Sequence, residues 1–387
     1  MSNADKKTVA LNWPRFGPYH LARLEATGRR FAREGWRVVG LEVARTDAVY
    51  AWDVADGAES FERVTLFDGN YHSRSRKEIA RAVDDALDRI DPDAVATVGW
   101  SFVPARAALA WACRTGRTSV VLSESKRDDA PRHWFKEAIK RRIVRRFDAA
   151  LVGGAPHAEY AAELGIPNDR IFLGHNAVDN DYFAAGAAEA RRNRDALRAE
   201  FGLPDRFFLC IGRFVPVKNL DRLIDAYAAY RRASTAPWPL VLCGGGELEA
   251  ELREQAEQLG VEGLVWPGFT QYPDLPAYYG LASAFILPSV KDSWGLVVNE
   301  AMASGLPVLV SRTVGCRYDL VEDGVNGLLF DPFDVEDIAR AMHEMAGRSD
   351  DQRAAMSRRS AEIIAEWGPE RFAEGLWNAV QAANRRT

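Results

Sequence analysis

Only four cysteines occur in this chain of 387 residues. Cys113, Cys210, Cys243 and Cys316 are too widely spaced to form a metal or redox motif. Cys210 and Cys243 lie in apolar, strand-like runs and read as plain core residues. Their thiols are expected to be reduced, as in a cytoplasmic protein. No run approaches the roughly 20 apolar residues of a spanning helix. The N-terminal Met-Ser-Asn-Ala-Asp-Lys-Lys has no apolar signal core. Excess positive charge is also missing: the formal net charge is -5, which argues against general nucleic-acid binding. No candidate metal cluster is evident, so no metal is expected. What is there, 47% hydrophobic and 27% charged residues, suits a soluble globular protein of two domains.

The most informative stretch runs from Pro288 to Val310. Phe285, Ile286 and Leu287 before it form an apolar run too short for a buried helix, so they read as a strand entering a loop. Asp292 and Ser293 are good N-cap residues. A helix is expected from Trp294 to Ser304, closed by Gly305 and Pro307, with Val308 to Val310 as the next strand. The loop thus ends at a helix N-terminus, whose unpaired N–H groups and dipole suit phosphate. Glu300 follows Asp292 by eight residues, roughly 12 Å of helical rise. Carboxylates that far apart cannot share a proton or a metal, but they could hold the two ends of a long ligand with an anionic middle. A nucleotide diphosphate sugar has that form. The bland alternative makes Asp292 only a cap and Glu300 a solvated helix residue.

This stretch resembles the signature of the retaining GT-B glycosyltransferases of family 4: two acids separated by seven residues, then Ala-Met-Ala-x-Gly-x-Pro-Val. The resemblance implies that the first acid, Asp292, contacts the donor sugar and the second, Glu300, the ribose. Asp292 stands where the family usually has Glu, and Trp294 where Phe is usual. The implied fold is α/β: GT-B, two Rossmann-like domains facing across a cleft, with a C-terminal helix crossing back to the first.

In the first half, strands alternate with helices, as in a parallel sheet covered on both faces. Thr8 to Asn12, Trp36 to Val43, Ala94 to Val98 and Ser119 to Ser123 read as strands. The helices run to about Glu34, from Lys77 to Ile90 and from Phe102 to Arg114. Ligands of such sheets lie beyond the carboxyl ends of the strands. The loops at Arg15 to His20, Gly99 to Phe102 and Ser123 to Lys126 are therefore expected to border the acceptor side. Arg15, Gly17, His20, Glu124 and Lys126 are its candidates, Glu124 because it directly follows an apolar strand. Relatives often carry a glycine-rich first loop and a histidine after a later strand. This chain has only Gly17 in that loop, and Ser123-Glu124-Ser125-Lys126 where the histidine is sought.

Residues 132–146 form a basic amphipathic helix with Trp134, Phe135, Ala138, Ile139 and Ile143 near helical spacing. It reads either as a surface that touches anionic lipid or as a core-packing stripe with a solvated basic face. The second is expected, because charged outer faces are the rule for surface helices. Asn176-Ala177-Val178-Asp179 resembles the family's Asn-Gly-Val-Asp segment near the domain junction, and the Ala/Gly-rich run to about Arg191 reads as a linker. The domains are expected at 1–184 and 185–366, with 367–387 a terminal helix packing back on the first.

The second half alternates again from Phe207. A diphosphate leaving group gathers negative charge, so fixed cations beside it lower the barrier. Arg213 and Lys218, in one loop beyond a strand, match the family's Gly-Arg … Lys segment. Gly244 to Gly246 permit close backbone approach to a diphosphate. The resemblance places Gly212, Gly245, Glu247, Gly268, Phe269, Ser293, Trp294, Gly295 and Leu296 around the donor, with Gly268-Phe269 beside the base. It implies a retaining hexosyl transfer from a nucleotide diphosphate sugar, a UDP-sugar in the first instance, to an acceptor hydroxyl. No cofactor is implied beyond the donor, and no nucleic acid partner. Two other classes stay open: a non-enzymatic nucleotide-sugar binder, and a phosphorylase or epimerase on the same frame.

Overall fold

The computed structural model describes residues 6–46 and 60–384; residues 1–5 of the N-terminal segment without a signal core lie outside them. The chain divides into two compact units, Met1–Val178 with Trp367–Thr387, and Asp179–Glu366.

The first unit runs β1 (Thr8–Trp13), α1 (Pro18–Ala32), β2 (Arg37–Thr46), β3 (Glu62–Asn70), α2 (Arg76–Ile90), β4 (Ala94–Val98), α3 (Val103–Thr115), β5 (Thr118–Ser123), α4 (Trp134–Val144), β6 (Ala149–Val152), α5 (Ala155–Glu163) and β7 (Ile171–Leu173). Its described strands form one parallel sheet in the order β3-β2-β1-β4-β5-β6-β7. The second unit runs α6 (Asn180–Arg192), α7 (Arg194–Phe201), β8 (Phe208–Ile211), α8 (Leu220–Ala233), β9 (Leu240–Cys243), α9 (Glu249–Gln258), β10 (Leu264–Gly268), α10 (Leu275–Leu281), β11 (Ala284–Leu287), α11 (Leu296–Ala303), β12 (Val308–Ser311), α12 (Arg317–Leu320), β13 (Gly327–Phe330), α13 (Val335–Gly347) and α14 (Asp350–Ala365). Its parallel sheet has the order β10-β9-β8-β11-β12-β13.

Both sheets wind outward from a central pair, β1 with β4 and β8 with β11. Successive strands move one way from the first member of each pair and then the other way from the second. The crossovers therefore leave a crevice beyond the carboxyl ends of that pair, where ligands of doubly wound sheets bind. The molecule thus has the two Rossmann-like α/β halves of a GT-B protein.

The short strands are apolar on both faces because helices cover both. Phe208, Leu240, Leu242 and Ile286 pack with Leu223 and Tyr227 of α8 and Met342 of α13. Each such large side chain contributes about 1.5–3 kcal/mol of burial free energy. The terminal helix α15 (Pro369–Asn384) belongs to the first unit. Its Phe372, Leu376 and Val380 join Val120, Leu122 and Leu151 in one core.

Three sequence expectations are corrected here. The Ala/Gly-rich run after Asp179 is helix α6, not a linker. The Asp179 carboxylate caps it by accepting from Tyr182 N at 2.9 Å. Alanine favours helix, and the small residues form a packing face: a Cβ on Gly186 would lie 2.5 Å from Pro276 Cβ of α10. That contact draws α6 into the second unit, which begins at Asp179 rather than near 185. Second, α11 starts at Leu296, with Gly295 as its N-cap, so the helical estimate of the Asp292–Glu300 spacing does not apply. Third, α4 does not pack an apolar stripe into the core: Val144 is its buried residue. Strand β3 and helix α14 have no counterpart in the sequence reading. Among the described residues no helix is long and apolar enough to cross a membrane.

Candidate functional site

The loop after β8 and the loop after β11 meet beyond the carboxyl ends of the central pair in the second unit. Val290 N donates to Val217 O at 3.0 Å and ties the two loops together. Across this seam Lys218 Nζ donates to Asp292 Oδ2 at 2.6 Å. The two side chains are largely buried at 19% and 16% exposure, so the pair is shielded more than a surface ion pair and still reaches solvent. A cation and a carboxylate assigned from separate motifs thus stand side by side.

Asn219 sets that contact. It adopts the left-handed conformation with φ 58°, which asparagine tolerates better than most non-glycine residues. Its Nδ2 donates to Pro288 O at 3.1 Å and to Pro332 O at 2.8 Å. Arg222 Nη1 donates to its Oδ1 at 2.8 Å. Lys218 is therefore presented from a turn locked against the β11 loop. Asn219 had no role in the sequence reading, although an asparagine closing a short turn is the signal that could have found it.

Asp292 does not cap α11. Gly295 is the N-cap, at φ 95°, and no side chain bonds there. A Cβ at Gly295 would lie 2.9 Å from Val314 Cγ1 and 3.1 Å from Leu287 Cδ2, so both conformation and space favour glycine. The Asp292 carboxylate is left for Lys218, while its carbonyl accepts from Gly315 N at 3.0 Å. The first N–H groups of α11, beginning at Leu296, have no acceptor within the helix and carry the positive end of its dipole.

Glu300 is fully buried on α11, not solvated, and accepts from Tyr279 Oη at 2.7 Å. Burying a carboxylate is costly unless it is paired and hydrogen-bonded, so the Tyr279 contact has a clear energetic role. Burial and the Glu300 charge together push the Tyr272 hydroxyl up. Trp294 is also buried; its Nε1 donates to Asn299 Oδ1 at 2.8 Å. Its side chain supports the loop, and only its backbone can face a ligand.

The loops after β8, β9 and β10 lie against one another. Gly212 N donates to Cys243 O at 3.0 Å, Phe214 N to Gly245 O at 2.8 Å and Gly244 N to Gly268 O at 2.8 Å. Gly244, at φ 144°, has no room for a side chain: its Cβ would lie 1.9 Å from Gly212 O. Gly245, the sequence candidate, would meet only Glu249 Oε2 at 3.6 Å. The close backbone approach is thus made by Gly244 and by Gly246, whose Cβ would lie 2.6 Å from Phe214 O. Arg213, Glu247 and Phe269 are exposed beside these loops, and Arg213 has no ion-pair partner among the described residues. Ser293 is half-buried between Asp292 and Trp294.

The first-unit candidates fall differently. Arg15 Nε donates to Arg45 O at 3.1 Å. Gly17 is the N-cap of α1, and its N donates to His20 Nδ1 at 3.0 Å. Burial, then Arg23 and Arg15, lower the His20 pKa to about 3, so its imidazole is neutral at ordinary pH. Glu124 accepts from Asn176 Nδ2 at 2.8 Å. Lys126 is 3% exposed and is held by its own turn, with Nζ 2.6 Å from Asp128 Oδ1 and 3.6 Å from Asp129 Oδ1.

The sequence reading missed a polar cluster at the β1–β4 crevice. Asn12 and Thr97 are register partners on β1 and β4. Both are fully buried, and among the described residues the side-chain atoms of Asn12 and Oγ1 of Thr97 have no hydrogen-bond partner. Arg23 of α1 is buried as well; its Nε donates to Ala177 O at 3.0 Å while Nη2 is unpartnered. Burial lowers its pKa to about 10. Burial and Arg23 hold His175 well below the usual histidine range. Asn12 and Thr97, polar residues inside otherwise apolar strands, were the available signal.

The chain is similar to known proteins over its second unit and in its fold. Residues 193–362 match the family described as Glycosyl transferases group 1. The chain is 33% identical over 253 residues to a D-inositol 3-phosphate glycosyltransferase of Mycolicibacterium smegmatis, covering 62% of this chain and 54% of that protein. It spans little more than half the length of the curated relatives it matches. Sucrose-phosphate synthase from Thermosynechococcus elongatus superposes with a TM-score of 0.73 at 18% identity, over 99% of this chain and 100% of that one. Anabaena HepE in complex with UDP and glucose gives 0.72 at 16% identity, over 97% and 99%.

Proposed function

We propose that this chain, whose residues 193–362 match the glycosyl transferases group 1 family, moves a hexosyl group from a nucleotide diphosphate sugar to an acceptor hydroxyl. The observation that carries the reading is the Lys218–Asp292 contact of 2.6 Å beside the first turn of α11. The bond that breaks joins the sugar to a phosphate. A cation for the phosphate and a carboxylate for the sugar hydroxyls must therefore stand next to each other.

In this reading Lys218, Arg213 and the first N–H groups of α11 stabilise the negative charge that gathers on the leaving diphosphate. Asp292 accepts from sugar hydroxyls and orients the ring while positive charge develops at the anomeric carbon. Glu300 serves the ribose, held in place by Tyr279, and Gly268 and Phe269 border the base. The loops around Gly212 and Gly244 provide close backbone approach, with Gly245 and Glu247 at their rim. Arg15, Gly17, His20, Glu124 and Lys126 remain the acceptor-side assignments. Retention of configuration follows from the family resemblance, with the leaving phosphate taking the acceptor's proton. A UDP-sugar is the proposed donor, and charge neutralisation by Lys218, Arg213 and the helix end makes added metal unnecessary.

The test is turnover of radiolabelled nucleotide sugars after a thermal-shift screen of nucleoside diphosphates. A ligand that binds only the native state raises the melting temperature. The expected result is a shift with UDP and acceptor-dependent release of UDP, unchanged by EDTA. A shift with GDP alone reassigns the base. Turnover without an acceptor, or only with inorganic phosphate, would replace transfer by epimerisation or phosphorolysis. Binding with no turnover across an acceptor panel would favour a non-enzymatic role.

A further inference from the structure

Helix α4 in the first unit is turned inside out relative to an ordinary surface helix. Trp134 is 84% exposed, Ile139 59% and Phe135 47%. Trp134 with Ala138, and Phe135 with Ile139, are four residues apart and so lie together on one outward patch. Two of its polar side chains, Glu137 and Lys140, turn toward the protein instead. Glu137 accepts from Lys140 Nζ and from Tyr160 Oη, each at 2.8 Å, and Arg132 Nη1 donates to Tyr160 Oη at 2.9 Å. This bridge to α5 anchors the helix while its largest apolar side chains stay in solvent. Single exposed apolar residues are ordinary, whereas a contiguous patch marks an interaction site.

The surroundings say what the patch fits. Lys136, Lys140, Arg141, Arg142, Arg145 and Arg146 are basic and Glu137 is the one acid from 134 to 146, in a chain whose formal charge is -5. A groove of about 810 Å³ opens beside the end of α4, bordered by Arg74, Arg76, Arg106 and Arg146 with Tyr71 and Phe102. No carboxylate is among its lining residues, and Phe102 is 51% exposed at its rim. A second copy of the chain fits poorly: a two-fold contact sets the same patch against itself and would oppose two basic surfaces. A bilayer with anionic headgroups answers both features, an apolar layer beneath a negatively charged one.

We infer that this face of the first unit docks on an anionic lipid bilayer. Trp134, Phe135 and Ile139 enter the boundary between headgroups and acyl chains, where aromatic residues are favoured. Arg142, Arg145 and Arg146 lie against lipid phosphates, and the neighbouring groove takes a headgroup. The inference rests on the first unit alone and is independent of the transfer reaction.

Co-sedimentation of the full chain with vesicles tests it. The chain is expected to pellet with phosphatidylglycerol–phosphatidylcholine vesicles at low salt, to be released by high salt, and to stay in solution with phosphatidylcholine alone. Each basic residue near the surface is worth about fivefold in partitioning. The variant Arg142→Gln/Arg145→Gln/Arg146→Gln should then bind on the order of 100-fold less. Trp134→Ala/Phe135→Ala/Ile139→Ala should bind at least about tenfold less. All six side chains are exposed, so both variants should keep the wild-type melting temperature, which is measured alongside. Wild-type protein left in the supernatant with anionic vesicles at low salt overturns the inference. So does either folded variant pelleting like wild type. A dimer in sedimentation velocity that the apolar variant dissolves, without vesicle binding by wild type, would assign the face to self-association instead.

Discussion

The two crevices at the centres of the two sheets are built from the same topology and carry opposite chemistry. In the second unit, charges of opposite sign meet across the crevice at Lys218 and Asp292, largely buried but still in reach of solvent. In the first, the strands of the central pair themselves hold Asn12 and Thr97, neutral and fully buried. Around them His20 and His175 are pushed to the neutral form by burial and by Arg23. A crevice of paired charges can stabilise charge that changes during a reaction. Buried neutral donors and acceptors such as Asn12 and Thr97, beside the Arg23 cation, are suited to hydroxyl groups, whose hydrogen bonds would satisfy atoms that are otherwise unpaired. In the proposed reaction the second unit would be the donor side that loses a diphosphate and the first the acceptor side that receives a hydroxyl.

The sharpest way to break this contrast is to remove the charges from the second unit. Lys218→Ala should lower turnover by on the order of 10² or more, as for other preorganised charge stabilisers, with the fold intact because the residue sits in a loop. Asp292→Asn should also be folded and nearly inactive. It does not cap α11, so its loss should leave the helix unaffected and should spare affinity for the bare nucleoside diphosphate. Steady-state rates with saturating donor, beside a melting curve, decide the matter. Wild-type turnover from either variant would remove the charged pair from the reaction.

A smaller effect is expected at Glu300. Glu300→Gln retains size and loses a charged acceptor worth about 1.5–3 kcal/mol. Nucleoside diphosphate affinity should fall by roughly tenfold to a hundredfold. Tyr279→Phe provides the control, because it removes the supporting hydroxyl and leaves the carboxylate. If calorimetry finds affinity lowered only in Tyr279→Phe, the ribose contact is misassigned and the pair is structural.

The smallest effect sharpens the other half of the comparison. The folded-state pKa of His20 is about 3 against an ordinary 6.5, so the unfolded chain binds this proton more readily. Stability from this group is fully present above about pH 6.5 and is lost as pH falls toward the folded value. His20→Asn keeps an acceptor for the α1 cap and should flatten that decline by on the order of 1 kcal/mol between pH 7 and pH 5. Urea unfolding at the two pH values measures it. An NMR titration showing His20 protonated near pH 6.5 would mean that burial and Arg23 do not hold this imidazole neutral.

The Lys218–Asp292 partners stood out because they lie in loops between short apolar strands, where a charge is conspicuous and glycine marks the turns. Arg213, Lys218 and Asp292 were picked out that way, and Glu300 by its spacing from Asp292 on the following helix. The first crevice was not, since Asn12 and Thr97 sit inside strand-like runs and Arg23 and His175 look like ordinary surface residues in one dimension. Gly245 was singled out for the same reason: within a glycine triplet, only the approach of Gly212 O to Gly244 and of Phe214 O to Gly246 shows which two have no room for a Cβ.

By itself, the sequence determined the alternation of strands and helices, the two-unit organisation and the strand–loop–helix–strand order of the Pro288 to Val310 stretch. Those follow from local periodicity, turn residues and the types of side chain placed at strand ends. Tertiary structure alone decided that Lys218 and Asp292, 74 residues apart in the chain, form one pair. It also decided that Glu300 is buried against Tyr279 and that α4 shows its apolar residues to solvent. Helical periodicity states that a stripe exists. Which side of that stripe meets the protein depends on neighbours brought in from elsewhere in the chain, here Tyr160 and its bonds to Glu137 and Lys140.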